Sequence, residues 1–394
     1  MPRLGTINPM PVPMQAQLTK TFLSHFAANP LITFAPGRIN LIGEHTDYQE
    51  GFVFPAAVKQ GIWVAIQKNE SPICRLVSAD FGQEFSFDLN SLAPKKGHWA
   101  NYIMGMCALM RQSGYEVKGF DMVLAGNIPV GSGLSSSAAL SVSVGTAISA
   151  IFDFGIPKKN LALYAQKSEH LYAGVNCGIM DPYASAFGVE GKALLLDCRS
   201  KTHREIPVGL GDYSLILVNS KVKHSLADSA YNERREACEE SVRLLKTDFP
   251  EINTLRDLSL SELEMVRAIL PDALFPKAKH VITECQRVLQ SAKALQKGNL
   301  AYFGSLLNAS HSSLSQDFEV SCPELDFLSH TAQAKPEVLG VRMMGGGFGG
   351  CTLNLVETKS IEKFIAQIQI AYEKQFFKSP EFIPVEISEG ARVI

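Results

Sequence analysis

Pro129-Val130-Gly131-Ser132-Gly133-Leu134-Ser135-Ser136-Ser137-Ala138-Ala139 lies between a strand candidate, Phe120 to Ala125, and a helix candidate, Ser135 to Phe152. The helix is read from the spacing of Leu140, Val144, Ala147, Ile148 and Ile151. A strand, a glycine-serine loop and a helix in that order predict a mixed α/β (α+β) chain. Glycines let the backbone approach a ligand closely, and a helix N-terminus adds free N–H donors and positive charge at the same place. Such a loop suits an anion. It is not the G-x-x-x-x-G-K-[ST] phosphate loop, because it holds no lysine. A plain glycine-serine turn capping a helix is the simpler alternative.

Working outward, Pro157 opens a helix over Lys158 to Ala173, which Gly174 closes. Val53 to Gln67 is rich in Val, Ile and aromatic residues and suits strands. Asp197 to Gly211 reads as a polar connection, and Tyr213 to Asn219 beyond it as a strand. Leu226 to Lys246 reads as a long helix with Tyr231, Cys238, Val242 and Leu245 near one face. Val281 to Gln296 and Leu300 to Leu314 are further helices, and Cys351 to Val356 is a strand leaving a glycine cluster. We expect a leader over residues 1–15, a first domain over 16–210 and a second over 211–394.

The chain has 394 residues, 46% hydrophobic and 19% charged, enough for a sizeable core. A net charge of −2 gives no support for a nucleic-acid footprint or an anionic membrane surface. The proline-rich start is not a signal peptide, and Ala138 to Phe154 is too interrupted by polar residues to span a bilayer. Eight scattered cysteines without a C-x-x-C pair suit free thiols in a reducing, cytoplasmic setting.

The densest cluster of chemistry is Pro36-Gly37-Arg38-Ile39-Asn40-Leu41-Ile42-Gly43-Glu44-His45-Thr46-Asp47-Tyr48. An arginine, two carboxylates and a histidine among apolar residues are costly unless partnered. Acceptors for sugar hydroxyls beside a cation for a phosphoryl group would need this mixture. Cys177-Gly178-Ile179-Met180-Asp181 sets another carboxylate in apolar company, and Met344-Gly345-Gly346-Gly347-Phe348-Gly349-Gly350-Cys351 invites close backbone approach.

The first of these stretches resembles the sugar signature of the galactokinases, within the GHMP family of small-molecule kinases. The glycine-serine loop resembles that family's phosphate loop, and the likeness extends from about Phe34 onward, through Ser310-His311-Ser312-Ser313-Leu314 and Asp317 to Asp326. The resemblance implies a two-domain architecture with the active site in the cleft between domains. It further implies ATP-dependent phosphorylation of the anomeric hydroxyl of galactose, by what is often a monomer. By resemblance, Asp181 is the catalytic carboxylate and Arg38 its partner. Glu44, His45, Asp47, Gly178 and Tyr231 would hold the sugar, while Gly131, Ser132, Gly133, Leu134, Ser135, Ser136 and Ser137 would cradle the phosphates. Trp99 and Tyr102, in His98-Trp99-Ala100-Asn101-Tyr102, would line the adenine pocket. Ser137 and Glu169 would hold Mg²⁺, and Gly346 and Gly347 would border the site.

Simpler readings stay open for several of these residues. Periodicity alone makes Tyr231 a core-facing aromatic, and Glu169 alone is an ordinary helix carboxylate. Many family members carry Gln after the aspartate where this chain has Pro182, which removes a backbone donor. The acceptor could be N-acetylgalactosamine or arabinose. A silent sugar- and ATP-binding regulator is a further possibility, although such proteins lose phosphate-loop residues that are intact here.

Overall fold

The computed structural model describes residues 14–26, 28–222 and 227–394. Residues 1–13 of the expected leader, and Lys223 to Leu226, the last of these the expected start of a helix, lie outside them; residues 14 and 15 belong to the first helix. The first half carries α1 (Met14–His25), β1 (Leu31–Asn40), β2 (Phe52–Val53), β3 (Pro55–Lys68), β4 (Ile73–Ser78), β5 (Gln83–Asp88), α2 (Asn101–Gln112), β6 (Phe120–Gly126), α3 (Ser136–Ile151), α4 (Lys158–Ser168) and α5 (Met180–Phe187). A hairpin of β7 (Lys192–Asp197) and β8 (Thr202–Pro207) follows. The second half carries β9 (Tyr213–Asn219), α6 (Ala227–Leu245), α7 (Leu263–Ile269), α8 (Phe275–Gln296), α9 (Leu300–Gln316), α10 (Pro323–Gln333), β10 (Val338–Met344), β11 (Cys351–Glu357), α11 (Ile361–Phe376), β12 (Glu381–Pro384) and β13 (Arg392–Val393).

Two main sheets organise the chain. One has the order β13-β1-β3-β6-β4-β5 and the other β10-β11-β9-β12; β2 joins β7 and β8 in a small third sheet. Residue 210 falls between β8 and β9, so the connection expected over 197–211 is in part a strand. β8 escapes a hydrophobicity-based reading because four of its six residues, Thr202, His203, Arg204 and Glu205, are polar.

The sequence explains the placement of α3. Apart from Leu140 its residues are small or β-branched, and they are buried on nearly every side, as in a helix at the centre of a core. Gly145 admits Met106 there, since a β-carbon would lie 2.6 Å from Met106 Cε. The helix packs against β1 and β3, and the Thr33 hydroxyl donates to the Ser143 carbonyl at 3.1 Å.

β1 and β3 pair with a register shift between Pro36 and Arg38. Gly37 sits in that bulge, where a β-carbon would lie 2.5 Å from the Leu134 carbonyl oxygen. Only glycine gives the glycine-serine loop room, and Arg38 N–H then bonds Leu134 O at 3.0 Å. The irregularity thus turns Arg38 toward the loop that precedes α3.

Candidate active site

β1, helix ends and the loops between the two main sheets line an open cavity of about 450 Å³. Its lining contains Arg38, Glu44, His45 and Asp47 from the charged stretch, Gly131 to Ser137, Glu169, Gly178, Asp181, Tyr231, and Gly345 to Phe348. Motifs more than three hundred residues apart in sequence therefore meet at one place.

Asp181 occupies the first turn of α5, where the helix dipole favours a carboxylate. Arg38 grips it with two parallel bonds, Nε to Oδ1 at 2.8 Å and Nη2 to Oδ2 at 2.9 Å. The arginine side chain is 5% exposed and the aspartate 26%, so the pair sits at the cavity wall with its carboxylate reachable. Arg38 Nη1 also donates to the Gly133 carbonyl, tying the pair to the loop. Pro182 follows Asp181 within the first helical turn, where a missing N–H breaks no helical bond. The proline replacing glutamine therefore fits a helix start.

The glycine-serine loop curls by positive φ at Gly131 (76°), Gly133 (69°) and Ser135 (58°). Backbone of this kind turns successive N–H groups into an anion-binding concavity. Ser135 adopts the left-handed conformation without glycine's freedom, and its hydroxyl donates to Asp181 Oδ2. Ser137 enters α3 and donates to Glu169, so the two are neighbours. α4 gives way to a π turn over Glu169–Ala173, and Gly174 closes it at φ 75°. Burial first, and then the Asp181 charge, push the Glu169 carboxyl up to about 7. A hydroxyl and a buried carboxylate side by side are hard oxygen donors of the kind Mg²⁺ takes, one or two from protein. Among the described residues, no group of three or more His, Cys, Asp or Glu residues offers a competing metal site.

In the charged stretch, Asp47 Oδ1 accepts the Tyr48 N–H at 2.9 Å. Burial, and then Asp181, raise the Asp47 carboxyl to about 6. Glu44 is 1% exposed. It accepts Gly345 N–H at 2.7 Å and Asn40 Nδ2, and lies 3.2 Å from Arg342 Nη2. A carboxylate has about four acceptor positions, so these two hydrogen bonds leave acceptor capacity for a ligand. His45 differs from expectation in that both its ring nitrogens are engaged. Nε2 faces the Gly346 carbonyl at 3.1 Å and so carries the hydrogen, which leaves Nδ1 to accept from the Tyr48 hydroxyl at 3.0 Å. Burial holds the ring neutral, pulling its pKa down to about 3. His45 therefore fixes the Gly345-Gly346-Gly347-Phe348-Gly349-Gly350 run, the third glycine motif, as well as lining the cavity.

Tyr231 parts company with its helix neighbours: Cys238, Val242 and Leu245 enter the core, while Tyr231 packs its ring 5.2 Å from His45 at the cavity. Trp99 and Tyr102 do not line this cavity. The Trp99 indole donates to Gln83 at 2.9 Å and packs against the first-sheet core, and the Tyr102 carbonyl accepts Ser168 Oγ, one residue before Glu169.

Comparison with known proteins decides the relationship. The chain is 40% identical to the galactokinase of Roseiflexus sp. (strain RS-1) over 375 residues, covering 95% of this chain and 96% of that one. The chain belongs to the galactokinase family. The galactokinase of Chloroflexus aurantiacus is 43% identical over 357 residues, with 90% of this chain and 91% of that one covered. A crystal structure of Lactococcus lactis galactokinase complexed with galactose superposes with a TM-score of 0.93 at 38% identity, covering 96% of this chain and all of that one. Family models agree: the galactokinase galactose-binding signature matches residues 20–68, the GHMP kinases N terminal domain 101–189 and the GHMP kinases C terminal 291–374. The mevalonate kinase of Methanococcus jannaschii, 17% identical with a TM-score of 0.63, shares the fold.

The galactokinase signature also rests on residues that sequence reading passed over. His280, Glu284 and Arg342 hold its loop from behind. An arginine within the otherwise apolar run Val341-Arg342-Met343-Met344 was the available signal.

Proposed function

We infer that this chain catalyses ATP-dependent phosphorylation of the anomeric hydroxyl of D-galactose, giving α-D-galactose 1-phosphate and ADP, the entry step of the Leloir pathway. The observation that carries this reading is the two-bond Arg38–Asp181 pair, set where the sugar loop meets the glycine-serine loop.

Phosphoryl transfer demands positioning and charge stabilisation more than covalent chemistry from the protein. Glu44, Asp47, Gly178 and Tyr231 hold the sugar, with His45 behind them. Asp181 orients the attacking hydroxyl and receives its proton as the new bond forms. Arg38 fixes that carboxylate and lends positive charge to the transferring phosphoryl group. Loop N–H groups from Gly131 to Ser137 receive the phosphates. Ser137 and Glu169 are the residues that would hold Mg²⁺, which when bound offsets phosphate charge. We place the domain boundary near residue 210 and read the protein as a cytoplasmic monomer. All eight cysteines are free, which supports a reducing compartment. No described helix is long and apolar enough to cross a membrane.

The test is ADP release with MgATP against galactose, N-acetylgalactosamine, arabinose, glucose and mevalonate. Preference for galactose, with Asp181→Asn losing several orders of magnitude in turnover while still binding sugar, is the expected result. Preference for another sugar would move the acceptor assignment. Near-normal turnover in Asp181→Asn would remove that residue from the chemistry.

A further inference from the structure

We propose that Arg342 is a positioning residue through which the second half of the chain sets sugar recognition by Glu44. This rests on the reading of Glu44 as a galactose ligand. Arg342 sits within β10, between Val341 and Met343, and is 0% exposed. A guanidinium there is expensive, since an apolar residue would serve the sheet equally well. Its head group leaves its own sheet and crosses to the sugar loop. Nη1 donates to the carbonyls of Asn40 at 2.9 Å and Leu41 at 3.3 Å, and Nη2 faces Glu44 Oε1 at 3.2 Å. Three residues on, Gly345 N–H donates to that same oxygen at 2.7 Å.

The other charges around Glu44 do not take over this task. Glu284 has its own partners: Arg287 Nε at 2.6 Å, Ser310 Oγ at 2.6 Å and Gly43 N–H at 3.0 Å. His280 reaches only the backbone carbonyl of Glu44, at 3.1 Å. Arg38 is bound to Asp181. Arg342 is therefore the one cation among these bound to the Glu44 carboxylate, and it also grips the chain leading into it. It does not line the cavity, so any effect on sugar passes through Glu44 and its loop. Strand β10 runs directly into the third glycine motif. One strand thus fixes both the glycine backbone and the carboxylate that face the sugar.

The experiment is a double-mutant cycle on the full chain with Arg342→Gln, Glu44→Gln and the pair, reading galactose KM, ATP KM, kcat and Tm. Glu44→Gln should raise galactose KM. Arg342→Gln should raise it about tenfold or more, with ATP KM within about twofold, and should add almost nothing in the Glu44→Gln background. Arg342→Lys, which keeps charge but loses the planar fork, should recover part of the loss. If Arg342→Gln does not fold, the cycle runs with Arg342→Lys. Effects that multiply in the pair, or equal rises in both KM values, overturn the proposal and leave the sugar site standing. An unchanged galactose KM in Glu44→Gln alone overturns the sugar-site reading, and the proposal with it.

Discussion

Gly178 passes so close to Asp47 that a β-carbon built on it would lie 1.7 Å from Asp47 Oδ2. The glycine is there because the carboxylate occupies the space a side chain would need. Gly178→Ala should displace Asp47 and raise galactose KM by about tenfold to a hundredfold, the scale of a misplacement near 1 Å. Steady-state kinetics with galactose varied checks this; an unchanged KM would mean Asp47 does not contact the sugar.

Gly37 faces the same constraint beside the glycine-serine loop. A β-carbon there meets the Leu134 carbonyl at 2.5 Å, so Gly37→Ala should push the glycine-serine loop outward. We expect a rise in ATP KM larger than that in galactose KM, with about 1–3 kcal/mol lost in stability. Denaturant unfolding beside the two KM values separates the effects.

Arg38→Lys keeps a charge but cannot reproduce two parallel bonds to Asp181. Turnover should fall by about 10²- to 10³-fold, the scale for losing one oriented donor, with galactose KM changed far less. A fall in affinity alone would place Arg38 in sugar binding instead.

Glu44 and Asp47 both have carboxyls raised to about 6, chiefly by burial. On the proposed reading their ionised forms accept sugar hydroxyls, so kcat/KM for galactose should drop as pH falls through 6. For stability the sign is opposite. Folded-state values above the ordinary carboxylate range, about 4, mean a contribution present in full below that range and lost as pH rises through 6. Asp47→Asn should therefore remove part of the fall in Tm of the unliganded protein between pH 5 and 7.5. A Tm difference between wild type and Asp47→Asn that does not vary with pH would refute this.

Much of the site was legible because its chemistry is packed into short runs. Arg38, Glu44 and Asp47 fall within ten residues, and the glycine-serine loop announces its strand and helix at either end. What stayed hidden depends on long-range burial. Nothing local distinguishes Glu284 or His280 from any polar residue on a helix, and only folding reveals that they face Gly43 N–H and the Glu44 carbonyl. Tyr231 shared a helical stripe with Cys238, yet the stripe runs from core to cavity as α6 passes the third glycine motif. The helix bearing Asp181 escaped notice because it spans eight residues and holds a proline.

β1, which carries Arg38, is flanked by β3 on one side and on the other by β13, with Thr33 opposite Val393 and Phe34 opposite Arg392. A ribosome builds those partners more than three hundred residues apart. During synthesis the first sheet waits with an open edge, its backbone groups available to any passing strand, until β13 emerges. Thr33 and Phe34 of the arginine-bearing strand therefore gain their outer partners only once β13 has been made, long after the rest of the first half is complete.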